Sequence, residues 1–166
     1  IIRPTSEETP RQLLSFVAAL ALYDALSFWV PPARLTLKWP NDLLLDGVKL
    51  SGILLETAGE AVVAGFGVNL VDHPHLERPT TDVASLGITP PTPEALLDKL
   101  MPALETRRAQ WRAQGFAAIR ADWCARAAGL GKETQIAQGA EIVTGVFEDL
   151  GSDGSLQMRL ADGSRR

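Results

Sequence analysis

A single cysteine, Cys124, among 166 residues removes disulfide architecture from consideration, because one thiol has no internal partner. It sits in the helical run Ala121 to Ala128 with no histidine or second cysteine nearby, so it reads as a buried structural thiol in a reducing compartment, by default the cytoplasm. Long hydrophobic runs are lacking too. No stretch approaches the roughly 20 apolar residues that cross a bilayer, and no signal peptide is visible. Positive charge is in deficit, with 16 Lys and Arg against 20 Asp and Glu, so no nucleic-acid partner is expected for this chain. The two histidines, His73 and His75, flank Pro74 without cysteine or carboxylate ligands at ligand spacing, and no metal site is expected there. A Walker A sequence is absent, and Gly65-Phe66-Gly67 lacks the third glycine and following helix of a dinucleotide fingerprint. No internal repeat or low-complexity tract is present.

Hydrophobic residues make up 46% of the chain, enough for a real core in one domain or one domain with a small appendage. Thr9-Pro10 introduces a helix over about Arg11 to Trp29, in which Leu13, Phe16, Val17 and Leu20 follow helical spacing. Ala18, Ala19, Ala21 and Ala25 permit close packing, so this helix is expected to be largely buried, and Val30-Pro31-Pro32 stops it. Extended segments follow at Arg34 to Trp39, Leu43 to Leu45, Lys49 to Glu56 and Ala61 to Leu70. Asp46-Gly47 and Ala58-Gly59-Glu60 supply turns, which predicts an antiparallel meander. A proline-rich loop over 71 to 93 leads to a helix at Pro93 to Gln114, capped by Thr92 and kinked or split at Met101-Pro102. A further helix is predicted over Phe116 to Ala128. After Gly129-Leu130-Gly131 the chain turns β-rich, with strands at Thr134 to Ala137, Ala140 to Leu150 and Ser155 to Ala161 and turns at Gln138-Gly139 and Ser152-Asp153-Gly154.

The densest chemistry lies in Lys38-Trp39-Pro40-Asn41-Asp42 and, after the Asp46-Gly47 turn, Lys49-Leu50-Ser51-Gly52-Ile53-Leu54-Leu55-Glu56. Two lysines, an asparagine and an aspartate on adjoining strand ends suit an anionic intermediate. Lys38 can meet a phosphate or pair with Asp42. Asn41 offers donor and acceptor groups just after a proline, where Asn-Asp is also ordinary turn chemistry. Trp39 either packs under a ligand or fills the core. Gly52, Gly65 and Gly67 lie within strands, where glycine weakens packing unless a ligand or another backbone approaches closely; bulges or helix contacts are the other reading.

The KWPND segment, the hairpin and the KLSGILLE strand, followed by Gly65-Phe66-Gly67-Val68-Asn69, resemble the central signature of bacterial biotin protein ligases. The specific part of the resemblance runs from Lys38 to Asn69, and the remainder of the chain is compatible with it. It implies an α+β fold, a class II synthetase-like core of mixed or antiparallel sheet packed by helices, with a small SH3-like β-barrel after it. The implied activity is ATP-dependent formation of biotinyl-5′-AMP and transfer of biotin to a lysine of the biotin carboxyl carrier protein of acetyl-CoA carboxylase. ATP with Mg²⁺ and biotin are the implied ligands. By the same resemblance Lys49 contacts the acyl phosphate, Asn41 and Asp42 lie beside the intermediate, Gly52, Gly65 and Gly67 let biotin lie against the sheet, and Asn69 contacts adenine.

The family's glycine- and arginine-rich loop, of the form GRGRxGR, has no counterpart here, and Ile1-Ile2-Arg3-Pro4 reads as the end of a strand before the first helix. The expected layout is therefore an N-terminally incomplete catalytic domain over 1–128 and a partial C-terminal domain over 129–166. The alternatives are a lipoate ligase or octanoyltransferase, which share the sheet and an essential lysine but usually lack these two motifs in succession, and the ligand-binding part of a biotin-responsive repressor. The open edges of the meander would offer strand pairing to a carrier or to a second copy of the chain.

Overall fold

The computed structural model describes residues 1–74, 78–138 and 141–166. Four antiparallel strands, β1 (Leu35–Lys38), β2 (Asp42–Leu45), β3 (Val48–Ala58) and β4 (Ala61–Val68), form a meander in chain order. Asp46 and Gly47 both take positive φ, at 50° and 80°, the conformation that joins β2 to β3 in a tight hairpin. Helix α1 (Leu14–Leu26) lies against β1, β2 and β3 on one side and against α2 (Pro93–Gln114) and α3 (Phe116–Cys124) on the other. That position between two layers explains why α1 has no polar face: Leu14, Val17, Leu20, Ala21 and Leu22 are all fully buried.

The element ends depart from the predicted ones for local reasons. The first turn, Arg11–Leu13, is a 3-10 turn, and α1 stops at Leu26, where the Ser27 hydroxyl donates to the Tyr23 carbonyl at 2.7 Å. Helix α2 is neither split nor ended by Pro102; Thr92 caps it by accepting from the Ala95 N–H at 3.2 Å, and Leu96, Leu100, Leu104 and Trp111 bury one face. Helix α3 ends at Cys124 rather than Ala128 because the next residues bond to the sheet instead. Leu37 N–H donates to the Arg126 carbonyl at 2.8 Å, and Ala128 N–H donates to the Leu37 carbonyl at 2.7 Å. This bridge covers part of the β1 edge, while Ile2, paired with Val62, covers the start of the β4 edge. The meander is thus less open than its sequence suggests.

Strands β5 (Glu133–Gln138), β6 (Glu141–Leu150) and β7 (Leu156–Arg159) form a second antiparallel sheet, ordered β5-β6-β7. Among the described residues this sheet is open: β5 and β7 do not pair, and no closed barrel is formed. The predicted Gln138-Gly139 turn and the strand start at Ala140 fall partly outside the described residues. The second sheet does not stand apart from the first, since Phe147 and Leu150 enter the same core as α1, and Trp123 meets Phe147 edge-on at 6.5 Å.

Charged groups tie the helices together. The Arg107 guanidinium bridges Asp24 of α1 and Asp122 of α3, at 2.6 and 2.5 Å. Glu8, with no exposed side-chain surface, receives Arg108 at 2.7 and 2.8 Å and the Thr5 N–H at 2.8 Å. Cys124 is partly buried, not fully as its sequence context suggests. Burial, with the charge of Asp149 beside it, pushes its thiol above the ordinary range.

Candidate active site

The strand-end motifs converge on an open cleft of about 750 Å³. Its wall comprises Lys38, Trp39, Asn41 and Asp42 from the end of β1 and the start of β2, with Lys49 and Gly52 from β3; Gly65 and Gly67 from β4 complete it. Eight of the nine residues singled out in the sequence are therefore brought together. The exception is Asn69, whose side-chain amide donates to the Thr81 carbonyl at 2.9 Å and whose backbone N–H donates to Leu50 at 3.1 Å. Asn69 holds the segment at 81–83 against the sheet and does not line the cleft.

A bulge makes the convergence of Lys49 and Gly52 possible. In a regular strand, positions three apart point to opposite faces. Here Leu44 pairs with Lys49 and Leu43 with Ser51, so β2 skips Leu50. Leu50 turns into the core, fully buried, and Lys49 arrives on the same face as Gly52, where a Cβ on that glycine would stand 3.4 Å from the lysine Nζ. Lys49 also reaches the Asp42 carboxylate at 2.7 Å. The aspartate is therefore paired with Lys49, and no hydrogen bond or ion pair joins Asp42 to Lys38. Lys38 is exposed at the rim, and no ion pair or hydrogen bond engages its ammonium among the described residues.

Asn41 does part of its work inside the sheet. Its amide donates to the Ile53 carbonyl at 2.6 Å and its own carbonyl accepts from the Ile53 N–H at 2.9 Å, which ties the Pro40–Asp42 turn to β3. Trp39 is half-buried, packs against the core and still lines the cleft. Its indole N–H donates to the Gly154 carbonyl at 3.0 Å, a partner 115 positions along the chain that neither sequence reading of this residue includes.

The glycines are not demanded by the fold. None of Gly52, Gly65 and Gly67 has positive φ. A Cβ on Gly65 would meet nothing closer than 3.8 Å, and one on Gly67 nothing closer than 3.7 Å, both backbone carbonyls at ordinary contact distance. Neither the bulge reading nor the helix-contact reading explains them. Gly65 and Gly67 leave the sheet surface bare along the cleft, and Gly52 leaves room beside the Lys49–Asp42 pair. Arg78 adds a third cation to the lining, and nothing in the sequence marks it. Its placement depends on the Lys49–Thr80 bridge and on the Thr81 N–H donating to the Lys49 carbonyl at 2.9 Å, both long-range contacts.

Asp72, His73 and Asp82 bring ligand-type atoms within 4.8 Å of one another, which the sequence pattern does not suggest; His75 lies outside the described residues. The buried Asp82 carboxylate is already engaged, accepting from the Ser85 N–H at 2.7 Å and hydroxyl at 2.8 Å and meeting His73 Nδ1 at 2.6 Å. His73 above all, against the cost of burial and together with Ser85, holds this carboxyl below the usual range. It is a hydrogen-bonded hub for the loop.

Among the described residues the cleft thus combines a glycine floor with three cations and one carboxylate, a lining suited to anionic ligands. Residues 6–70 match the biotin/lipoate A/B protein ligase family. The chain is 42% identical to the biotin--[acetyl-CoA-carboxylase] ligase of Paracoccus denitrificans over 96% of its own length and 71% of that protein's. With the Mycobacterium tuberculosis protein of the same name the identity is 37%, over 86% of this chain and 55% of that protein. Among solved structures, a biotin protein ligase from Aquifex aeolicus in complex with biotin and ATP superposes with a TM-score of 0.83 at 21% identity, covering 99% of this chain and 71% of that one. The chain belongs to the biotin protein ligase family.

Proposed function

We propose that this chain carries the acyl-activating cleft of an ATP-dependent biotin protein ligase. The observation that carries the reading is the convergence of Lys49, Asp42 and the three-glycine floor in one cleft. In the first step a biotin carboxylate oxygen bonds to the α-phosphorus of ATP and the bond to the β-phosphate bridge breaks, giving biotinyl-5′-AMP and pyrophosphate. Lys49 is the group that neutralises the carboxylate and phosphate as they meet, with Lys38 assisting from the rim. Gly52, Gly65 and Gly67 seat the ligand, Trp39 and Asn41 shape the wall, and Asn69 positions the nucleotide side through the segment at 81–83. In the second step the neutral amine of a carrier lysine, oriented by Asp42, attacks the acyl carbon, the bond from that carbon to the phosphate oxygen breaks, AMP leaves, and the surplus amine proton passes to solvent. The acceptor is the biotin carboxyl carrier protein of acetyl-CoA carboxylase.

Mg²⁺ fits this site as a passenger of ATP. Asp42 is the single carboxylate lining the cleft among the described residues, and Lys49 already holds it, so the protein supplies no oxygen cage of its own. Residues 1–128 form the catalytic unit in this reading, and 129–166 the strands of an SH3-like domain seated against it. The cytoplasm, where ATP and carrier meet, is the compartment; no helix among the described residues is long and apolar enough to cross a membrane. Pairing of a second copy along a meander edge would have to displace or extend the Ile2 or Ala127 bridges.

Biotin-dependent exchange of labelled pyrophosphate into ATP tests the reading. Exchange with biotin and none with lipoate or octanoate is the expected result; exchange with octanoate alone would transfer the chain to the lipoate side of the family. Because a Cβ is tolerated on the backbone side, Gly67→Val is expected to fold normally yet bind biotin about 100-fold more weakly, roughly 2.7 kcal/mol. Affinity unchanged in titration calorimetry would remove Gly67 from the floor.

A further inference from the structure

The link between Trp39 and Gly154 joins the KWPND segment to the second sheet, and both ends of the link are unusually constrained. Gly154 lies in the turn between β6 and β7, with φ at 82°, and is buried. A Cβ there would stand 2.6 Å from Phe16 Cε2 and 3.1 Å from Leu13 Cδ2, so only glycine can seat the turn against the start of α1. The turn is braced internally. Gly154 N–H donates to Gly151 at 3.0 Å, Gly151 N–H donates to Ser155 at 2.7 Å, and the Asp153 carboxylate accepts from the Ser155 N–H and hydroxyl at 3.0 and 2.6 Å. A rigid carbonyl is thereby presented to an indole whose only hydrogen-bond donor it engages at 3.0 Å.

At the other end, Trp39 immediately precedes Pro40-Asn41-Asp42. That turn is fixed on its β3 side by the paired Asn41–Ile53 bonds. On its outer side, Trp39 is the residue that reaches the second sheet. We infer that the β6–β7 turn is a positioning element of the cleft: the Gly154 carbonyl, through the Trp39 indole, sets the wall from which Asn41 and Asp42 project, and so the geometry in which Lys49 meets its anions. Trp39 and Gly154 are positioning residues that act through the Pro40–Asp42 turn. The second sheet thus contributes to acyl activation without, among the described residues, a side chain of its own in the lining. The activity arm of this inference rests on the ligase reading; its structural arm does not.

The test uses the full chain with Trp39→Phe, which keeps an aromatic ring and removes the donor, with Gly154→Ala, which unseats the turn, and with both together. Trp39→Phe should lower the kcat of biotin-dependent pyrophosphate exchange about tenfold, with the KM values for ATP and biotin within twofold. Gly154→Ala should act in the same direction, and the double variant should be no slower than the slower single one, since both break one contact. In ¹⁵N-labelled protein the Trp39 indole N–H, identified by its loss in Trp39→Phe, should exchange with solvent at least about tenfold faster in Gly154→Ala. A kcat for Trp39→Phe within twofold of wild type, or losses that multiply in the double variant, would overturn the positioning role. Indole exchange unaltered in Gly154→Ala would overturn the contact itself. Absence of exchange activity in wild type, with the indole behaving as expected, would count against the ligase reading and leave the coupling between the sheets standing.

Discussion

Lys49→Ala is expected to lower the rate of biotinyl-adenylate formation by about 10² to 10³-fold, the typical cost of deleting one preorganised group that stabilises developing charge. Folding should hardly change. The Lys49 side chain is 41% exposed, and its partner Asp42, at 20%, can regain water when the lysine is gone. The bulge at Leu50 is built by backbone pairing and by burial of Leu50, neither of which involves the lysine head group. Lys49→Arg should restore little, because a planar guanidinium on a different stem cannot occupy the point-charge position beside Asp42. Single-turnover formation of the adenylate, measured beside the thermal midpoint, separates the two effects. A loss smaller than about fivefold would move the activating role to Lys38 or Arg78, the other cations of the lining.

Glu8→Ala should produce the largest loss of stability, about 3 kcal/mol, because it removes the buried carboxylate that neutralises Arg108 and leaves that guanidinium only the exposed Glu105 carboxylate, at 3.1 Å. At roughly 2–4 °C per kcal/mol for a chain of this size, the thermal midpoint should fall by about 10 °C. The pair also anchors the N-terminal segment, since the same guanidinium donates to the Arg3 carbonyl at 3.0 Å. Burial works to raise the Glu8 carboxyl, but hydrogen bonds from Arg108 and the Thr5 N–H, with the charges of Arg108 and Arg112, outweigh it and hold it below the usual range. A carboxyl depressed in the folded state contributes its full share above the ordinary glutamate pKa, and that share is lost as the pH falls through the depressed folded value. The gap in stability between wild type and Glu8→Ala should therefore be flat from neutrality to about pH 5 and narrow below about pH 4. Denaturant melts across that range check the sign; a gap that widens on acidification would contradict it.

Much of the fold was legible because its signals are local. Asp46-Gly47 marks a hairpin through the positive φ both residues accept, Thr92-Pro93 marks the start of α2, and the alanine-rich spacing of α1 marks a largely buried helix. Helix ends were less legible, since α3 gives up its last turn to pair Arg126 and Ala128 with Leu37, a contact across nearly 90 residues that no local pattern encodes. For the site, the clustering of Lys38 to Asp42 with Lys49 and Gly52 was readable from motif order. The reason that Lys49 and Gly52 share a face was not, because it lies in a skipped residue of the pairing register. Trp39, Asn41 and Asn69 could be picked out by type and position, but their partners at Gly154, Ile53 and Thr81 belong to tertiary structure. Arg78 escaped notice for the same reason.

The most direct test of the central claim is titration calorimetry of the purified chain with a non-hydrolysable biotinyl-adenylate analogue, run beside Lys49→Ala. Saturable binding at one site, lost or greatly weakened in the variant, is the result expected if the cleft between the Lys38–Asp42 turn and the Gly65–Gly67 strand holds the activated acyl group. A folded chain that gives no saturable heat, or one whose affinity is the same with and without the Lys49 ammonium, would contradict it.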